Sequence, residues 1–252
     1  MQFLLRTFFL VAIMAVSAQA ADVKSAEKPA AKSEQKADKR AEADEKPAAK
    51  PMPEMGMGSQ KAPIVIVDYS SLTCNHCAEF HTDILPKIDE KYIKPGLVRI
   101  IIRDYPSDQI ALVAHQLAWC RGELKYLDFL KVLYSKQKEW LLSDDPQAEL
   151  KKIAMQNGIT NEQYEACFKN QLLLDRIVQG RLEGMKKYNI TVTPTLVINA
   201  KVYQHALSFE EFEKIVKPLI EANSKLKGKK SSLVNMKEQL KISKVKAEGK
   251  DK

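Results

Sequence analysis

The sequence predicts an α/β fold interrupted by an all-helical insertion. Residues 63–69 form an apolar run typical of a buried strand, a helical pattern begins at Cys74, and residues 97–102 form a second strand-like run. About 80 residues of helical pattern follow, and strand character returns at residues 195–198 and 201–203 before a last helix. The order is therefore βαβ, a helical block, then ββα, and we expect the first two strands to be parallel because a helix connects them.

Proline and capping residues divide the helical regions. Pro86 lies inside the first helical pattern and should kink this helix or divide it in two. Pro146 occupies a first-turn position, where its missing N–H costs little. The sequence Thr160-Asn161-Glu162-Gln163 has the form of a capping box and predicts a further helix start, and Ser208-Phe209-Glu210-Glu211 has the same form before the last helix.

The N-terminal 20 residues have the pattern of a secretory signal. Arg6 lies near the start, residues 7–16 are apolar, and Ala18-Gln19-Ala20 matches an A-x-A cleavage site. The apolar stretch is shorter than the roughly 20 residues that a transmembrane helix needs. We therefore predict that residues 1–20 are a signal peptide, with export to the periplasm or cell envelope; an uncleaved N-terminal anchor is the alternative.

Two further segments fall outside the predicted domain. Residues 21–60 are rich in Ala, Lys, Glu and Pro with almost no large apolar side chains, which predicts a disordered linker. Residues 224–252 carry ten Lys against three acidic residues and hold most of the formal charge of +8. We predict a basic flexible tail that is either solvated or in contact with anionic lipid or acidic envelope polymers. Because residues 61–223 are close to neutral, the high pI does not indicate a nucleic-acid-binding face.

The motif Cys74-Asn75-His76-Cys77 lies where a strand, a short loop and a helix N-terminus meet. The first turn of a helix has unpaired N–H groups and a partial positive charge. A thiolate at this place is stabilised, so its pKa falls and it becomes reactive near neutral pH. Because two residues separate the cysteines, the second sulfur can reach the first, and the motif predicts thiol–disulfide chemistry.

Metal and cofactor sites are less well supported. The Cys-x-x-Cys motif could be half of a zinc site, but the chain contains no second pair. A covalent haem site needs His after the second cysteine, and Ala78 stands there. Met52, Met55 and Met57 could bind Cu(I), although we interpret them as linker residues. We therefore expect no metal and no organic cofactor.

Cys120 and Cys167 both fall in the predicted helical insertion. In an exported chain with an even number of cysteines, we interpret them as a structural disulfide. The closed loop would stabilise the fold by about 4 kcal/mol in the chain-entropy model. Two buried free thiols, or a second labile redox pair, are the alternatives.

With this order of elements and these motifs, the chain resembles the thioredoxin fold and, within it, the DsbA-like envelope oxidoreductases. The likeness rests on the Cys74–Cys77 motif, the inserted helical block and Thr193-Pro194-Thr195 before a strand. It covers residues 61–223, in which residues 61–104 and 187–223 correspond to the thioredoxin core and residues 105–186 to the helical insertion.

The resemblance implies a role for each residue of the site. Cys74 would be the exposed nucleophile and Cys77 the buried partner that resolves a mixed disulfide. His76 would help to hold the thiolate and make the disulfide oxidising. Asp68, six residues before Cys74, would relay a proton for Cys77.

The resemblance also implies that Pro194 follows a cis peptide bond beside the two sulfur atoms, and that Thr193 offers backbone groups to a bound peptide. Asn75 stands where DsbA has proline, and Thr193 stands where it has valine. Asn199-Ala200 replaces the Asn-Gly that is common at the following turn. The first two departures leave the oxidising strength open.

These expectations combine into a functional hypothesis. The protein would donate its Cys74–Cys77 disulfide to unfolded or partly folded exported proteins through a mixed disulfide at Cys74, and a DsbB-like membrane oxidase would recycle it. A disulfide isomerase or reductase on the same fold is one alternative, and a non-catalytic envelope surface or chaperone module is another. His81 follows Cys77 by four residues and could share its helix face, but we interpret it as a surface or core histidine instead of a catalytic one. His115 and His205 have no sequence context that predicts a catalytic role.

Overall fold

The structure is a computed structural model that describes residues 52–248, and side chains as far as residue 239. The predicted signal peptide and residues 21–51 of the predicted linker lie outside the described residues. No helix among residues 52–248 is long and apolar enough to cross a membrane.

A five-stranded mixed sheet forms the centre of the fold, in the order β1-β3-β2-β4-β5. The central strands β2 and β3 are parallel, while β1, β4 and β5 each pair antiparallel with a neighbour. The predicted βαβ and ββα halves are therefore confirmed. Asn199 and Ala200, both with positive φ, make the two-residue turn between β4 and β5. The strands are Met55–Met57 (β1), Ile64–Ser70 (β2), Val98–Asp104 (β3), Thr195–Ile198 (β4) and Lys201–Tyr203 (β5).

The first strand corrects the predicted linker boundary. Residues 21–60 were expected to be disordered, but β1 pairs with β3 and places Gly56 opposite Ile101. Arg99 secures this edge through the Gly58 carbonyl and the Glu54 carboxylate, each at 2.8 Å. A three-residue edge strand of Met-Gly-Met has too few β-branched residues to be visible in the sequence. Its methionines pack against the hydrophobic core instead of lying in a flexible segment.

The helix after the Cys74 motif is divided, as the position of Pro86 predicts. Pro86 cannot donate a backbone hydrogen bond to the preceding turn, and wider π-helical turns lie on both sides of the short α2. The segments are α1 (Asn75–Glu79), a π turn (Phe80–Ile84), α2 (Leu85–Ile88) and a second π turn (Asp89–Ile93).

Six α-helices and a short 3-10 helix (Glu123–Lys125) make up the insertion between β3 and β4. Polar N-caps begin several of them, including Asp108, whose carboxylate accepts from Ala111 N–H at 2.7 Å, and the complete Thr160–Gln163 capping box. Cys120 at the end of α3 forms a disulfide with Cys167 in α7. The helices are α3 (Gln109–Trp119), α4 (Tyr126–Ser135), α5 (Gln137–Leu141), α6 (Pro146–Gln156), α7 (Asn161–Phe168) and α8 (Gln171–Tyr188).

The last helix, α9 (Phe209–Glu248), corrects the flexible tail predicted for residues 224–252 as far as residue 248, and residues 249–252 lie outside the described residues. The Ser208–Glu211 capping box begins it, and Phe212 and Val216 are buried in the core. Helix nucleation is costly, whereas each residue added to an existing helix gains a hydrogen bond. Because the packed first half supplies the nucleus, the Lys-, Leu- and Gln-containing second half continues as helix, although every side chain from Ser224 to Gln239 is exposed.

Helix α8 packs closely against β2 at one glycine. A Cβ on Gly184 would lie 2.6 Å from Cε1 of Tyr69, which belongs to a small buried cluster with Tyr105, Ile190 and Val197. A Cβ on Gly180, one turn earlier in the same helix, would meet no atom within 4 Å. The two glycines lie in the same helix and differ in whether space exists for a side chain.

We predict that Gly184→Ala lowers the free energy of unfolding by about 1–3 kcal/mol, because the Tyr69 ring must move. Gly180→Ala is the matched control and should raise it by about 0.5–1 kcal/mol through helix propensity alone. Urea unfolding of both variants measures the difference. Equal effects of the two substitutions would contradict the close packing.

Candidate active site

The two cysteines of the motif have different exposure. Cys74 is the N-cap residue of α1, with an extended backbone, and its side chain is half-buried. Cys77 lies one turn further on and is completely buried. Both are free thiols in this structure. An attacking group can therefore reach Cys74 and not Cys77.

The surroundings of Cys74 stabilise its thiolate and lower its pKa to about 5. The largest cause is a hydrogen bond from the Cys77 thiol, and burial opposes it. The Thr193 side chain and the backbone N–H groups of Cys77 and His76 lower the pKa further. The Cys74 sulfur also lies 3.2 Å from the Thr193 carbonyl oxygen, to which the protonated thiol can donate. These donors act at the N-terminus of α1, where the sequence predicts a stabilised thiolate.

The pKa of Cys77 moves in the opposite direction and lies far above that of an ordinary thiol. Burial is the largest cause, and the hydrogen bond to Cys74 and the negative charges of Cys74 and Asp68 add to it. The Ser71 N–H, 3.4 Å from the Cys77 sulfur, opposes the shift. Near neutral pH the reduced site therefore holds one thiolate, on Cys74, and one thiol, on Cys77.

The side chain of His76 points away from the sulfur pair. Its imidazole is 68% exposed, and Nδ1 lies 3.1 Å from Oε2 of Glu79. The part of His76 that lowers the Cys74 pKa is its backbone N–H. In this structure His76 therefore stabilises the Cys74 thiolate through its backbone N–H at the helix N-terminus and not through its imidazole.

Asp68 is completely buried near the end of β2 and forms a pair with His81. Oδ1 of Asp68 accepts a hydrogen bond from the Ser70 hydroxyl at 2.6 Å. Oδ2 lies 2.9 Å from Nε2 of His81, within ion-pair distance but without an aligned hydrogen bond. The His81 ring is buried and stacks on Tyr134 at 4.1 Å between centroids. Its four-residue spacing from Cys77 was the signal in the sequence that could have identified it.

The loop before Cys74 is held by a buried network that the sequence did not reveal. Leu72 N–H donates to Nε2 of His115 at 3.2 Å, so the ring proton that faces Asp104 is on Nδ1. Nδ1 lies 2.6 Å from Oδ1 of Asp104, which therefore accepts it. Burial raises the Asp104 pKa, but His115 together with donors from Tyr126 and Trp119 lowers it overall. The carboxylate thus stays charged and fixes the ring that holds the loop.

Gln137 of α5 holds the same loop from another side. Its amide Nε2 donates to the carbonyl oxygens of Leu72, at 2.7 Å, and Cys74, at 3.0 Å. The side chain is buried, so both hydrogen bonds are shielded from water. Two helices of the insertion, α3 and α5, therefore position the backbone that carries the nucleophile.

The Thr193-Pro194 peptide bond is cis. The bend that leads into β4 places the Thr193 carbonyl beside the Cys74 sulfur. The hydroxyl of Thr195 donates to the Val192 carbonyl at 2.7 Å and fastens this bend. Residues 119 positions apart in the chain thus meet at the thiolate.

Comparison with known proteins agrees with this geometry. A family model described as thioredoxin matches residues 50–218. The crystal structure of Wolbachia pipientis alpha-DsbA1 is 29% identical, with a TM-score of 0.64, and the match covers 70% of this chain and 96% of that one. The chain is a DsbA-like member of the thioredoxin superfamily.

Two relatives carry names that refer to disulfide chemistry. A protein-disulfide oxidoreductase of Rickettsia typhi, so named provisionally, is 26% identical over 175 residues, which are 69% of this chain and 64% of the relative. Disulfide bond formation protein D of Bacillus subtilis is 26% identical over 187 residues, 69% of this chain and 77% of that protein. The DsbA-like chain therefore spans less than two thirds of the length of the Rickettsia relative.

We predict that the thiolate of this DsbA-like protein titrates with a pKa of about 5. The rate at which iodoacetamide labels reduced Cys74 should then reach half of its maximum near that pH. Thr193→Val removes a hydroxyl that lowers the pKa, so the midpoint should rise, whereas Thr191→Val, in the same loop but paired with Gln204, should leave it unchanged. A midpoint near the roughly 8.5 of a free thiol would refute an activated nucleophile.

The same pKa predicts how stability depends on pH. The folded-state pKa of Cys74, about 5, lies below the ordinary 9.0, so ionisation stabilises the reduced fold. This contribution is complete above about pH 9, declines as the pH falls, and is absent below about pH 5. The urea midpoint of the reduced protein should therefore rise relative to that of the oxidised protein between pH 5 and pH 8.5. Cys74→Ser should abolish this pH dependence; parallel curves for the two native redox forms would contradict it.

Proposed function

We propose that the protein is a thiol–disulfide oxidoreductase that donates its Cys74–Cys77 disulfide to exported proteins as they fold. The observation that carries the proposal is the opposite displacement of the two cysteine pKa values. Cys74 is accessible and stable as a thiolate, whereas Cys77 is buried and stable as a thiol. The names of the relatives support the same class of chemistry.

Two exchange steps follow from this asymmetry. A substrate thiolate attacks the sulfur of Cys74 in the disulfide, a mixed disulfide forms, and Cys77 leaves as a thiolate that takes up a proton. A second substrate thiolate then attacks the substrate sulfur of the mixed disulfide, and Cys74 leaves as a thiolate. The substrate loses two electrons and forms a disulfide, and the protein ends as the dithiol.

The pKa values favour the second step more than the first. A thiol with a low pKa leaves readily, which suits Cys74. Cys77 is a poor leaving group as a thiolate because of its burial, so a nearby proton donor assists the first step. Asp68 acts on Cys77 electrostatically, and His81 lies against Asp68. We assign this pair to proton transfer for Cys77, with Asp68 in the relay position and His81 as its partner.

The favoured direction is oxidation of the substrate. A thiolate stabilised by its surroundings favours the dithiol form, so the disulfide is more readily given away. The Thr193 backbone beside Cys74 suits an extended segment of an unfolded or partly folded chain. The signal-like N-terminus supports a site of action in the periplasm or envelope, and a membrane oxidase similar to DsbB would regenerate the disulfide.

An isomerase or reductase remains the second candidate because of Thr193 and Asn75. The resemblance associates valine and proline at these positions with the strong oxidant, and both differ here. In that reaction the Cys74 thiolate attacks a disulfide of the substrate, and the same geometry serves. The two candidates differ in the reduction potential of the Cys74–Cys77 pair.

We predict a reduction potential above the roughly −270 mV of thioredoxin, because the reduced site is stabilised by the Cys74 thiolate. Equilibration with glutathione buffers measures it. Cys77→Ala, with Cys74 first converted to a mixed disulfide with glutathione, should exchange glutathione for a reduced, unfolded substrate and trap the mixed disulfide between that substrate and Cys74. Cys74→Ala should abolish oxidative refolding. Simultaneous Cys120→Ala and Cys167→Ala, which leaves the motif intact, is the control for cysteine loss and should retain activity.

A potential near that of thioredoxin would favour the reductase or isomerase. Unchanged oxidative refolding by Cys74→Ala would instead support a non-catalytic surface or chaperone module.

A further inference from the structure

The second half of α9 carries an unusual set of exposed side chains. All residues from Ser224 to Gln239 are exposed, whereas Phe212 and Val216 in the first half are buried. Large apolar side chains stand singly on most protein surfaces and need no explanation. Here four of them lie within three turns of one helix, and the exposed fractions are 65% for Leu226, 52% for Leu233, 55% for Val234 and 52% for Met236.

These apolar side chains share one side of the helix with lysines. At about 100° per residue, Leu226 and Leu233 continue the stripe that Phe212 and Leu219 present to the core. Every lysine and every large apolar residue from position 224 to 239 falls within an arc of about 200°, and the remaining arc holds Ser, Asn, Gly, Gln and Glu238. We call this arc the basic–apolar face: Leu226, Leu233, Val234, Met236, Lys225, Lys227, Lys229, Lys230 and Lys237.

The lysines of the basic–apolar face have no acidic partners in the part of the chain that the structure describes. Elsewhere in that part many lysines form ion pairs, for example Lys151 with Glu165 and Lys217 with Glu213. The face therefore combines unneutralised positive charge with uncovered apolar surface, and it stands on a domain that is otherwise close to neutral.

We propose that the basic–apolar face binds a lipid bilayer surface rich in anionic headgroups. The lysine ammonium groups would contact lipid phosphates while the apolar side chains enter the boundary with the acyl chains. Lysine stems lie along apolar surface with their charge towards water, which allows both residue types to share one side. A second copy of the chain fits less well because its lysines would face these lysines, and a soluble polyanion would leave the leucines exposed. The proposal does not depend on the redox activity.

Vesicle flotation tests the proposal with the chain that begins at Ala21, which is the product of cleavage at the predicted signal site. Binding should occur with phosphatidylglycerol-containing vesicles, weaken with added salt, and be much weaker with phosphatidylcholine alone. Combined Lys229→Gln and Lys230→Gln should weaken binding by about 25-fold, since each lysine contributes about fivefold at an anionic surface. Combined Leu226→Gln and Leu233→Gln should weaken it by about tenfold or more.

Matched control variants test whether binding depends on the basic–apolar face or only on the total charge of the protein. Lys87→Gln with Lys169→Gln removes two exposed lysines of the folded domain and should leave binding within about twofold, as expected for charges outside the contact. Glutamine has a helix propensity close to those of Lys and Leu, and circular dichroism checks that α9 persists.

Four results would overturn the proposal: no binding to anionic vesicles, equal binding to neutral vesicles, equal loss in the control variant, or binding that survives both α9 variants. Sedimentation that shows self-association through the leucines without vesicle binding would assign the face to a second copy. Binding of dextran sulfate that ignores the leucine changes, again without vesicle binding, would assign it to an anionic polymer.

Discussion

The hydrogen bond from the Cys77 thiol to the Cys74 thiolate requires two sulfur atoms one helical turn apart to lie in different environments. Cys74 needs solvent access so that a second sulfur can approach it, and Cys77 needs burial so that its proton stays in place. The N-terminus of α1 meets both needs because its first turn leaves backbone N–H groups for Cys74 while the next turn enters the core. The rest of the fold holds this helix end against the strands and the insertion.

Burial alone cannot fix a half-exposed residue, so the loop that carries Cys74 is fixed through its backbone. His115 accepts from Leu72 N–H, and Gln137 donates to the carbonyls of Leu72 and Cys74. Each of these polar side chains is itself buried and satisfied, which makes it directional and costly to displace. The helical insertion therefore supports the nucleophile from within the core and leaves its open side to the substrate.

The elements that could be predicted from the sequence are those whose pattern is local. The apolar runs of β2 and β3, the division at Pro86 and the capping boxes of α7 and α9 depend on neighbouring residues only. The edge strand β1 was missed because its pairing with β3 is decided by residues some 45 positions away. The helical conformation of the second half of α9 was not predicted because it depends on the packed first half, which supplies the helix nucleus.

The same distinction applies to the site. The Cys74 motif and its position before a helix are local, and the resemblance supplied Asp68, Thr193 and Pro194. His115 and Gln137 lie 43 and 65 positions from Leu72, and one hydrogen bond between a side chain and a distant backbone leaves no periodic trace. His81 had a local signal in its spacing from Cys77, but only the fold shows that its partner is Asp68.

The disulfide of the insertion can be understood in the same terms. Cys120 ends α3, the helix that also carries His115, and its link to Cys167 ties α3 to α7. Gln116, between His115 and Cys120 in the chain, donates to the Cys167 carbonyl at 3.0 Å and joins the same two helices again. The disulfide closes a loop in the unfolded chain and so reduces the number of its conformations, and this effect does not depend on whether water reaches the bond. Helix α3, which holds the loop before Cys74 through His115, is therefore also fixed at its C-terminal end by a disulfide. The Cys120–Cys167 bond includes neither Cys74 nor Cys77, so it supports α3 separately from the pair that carries out the exchange.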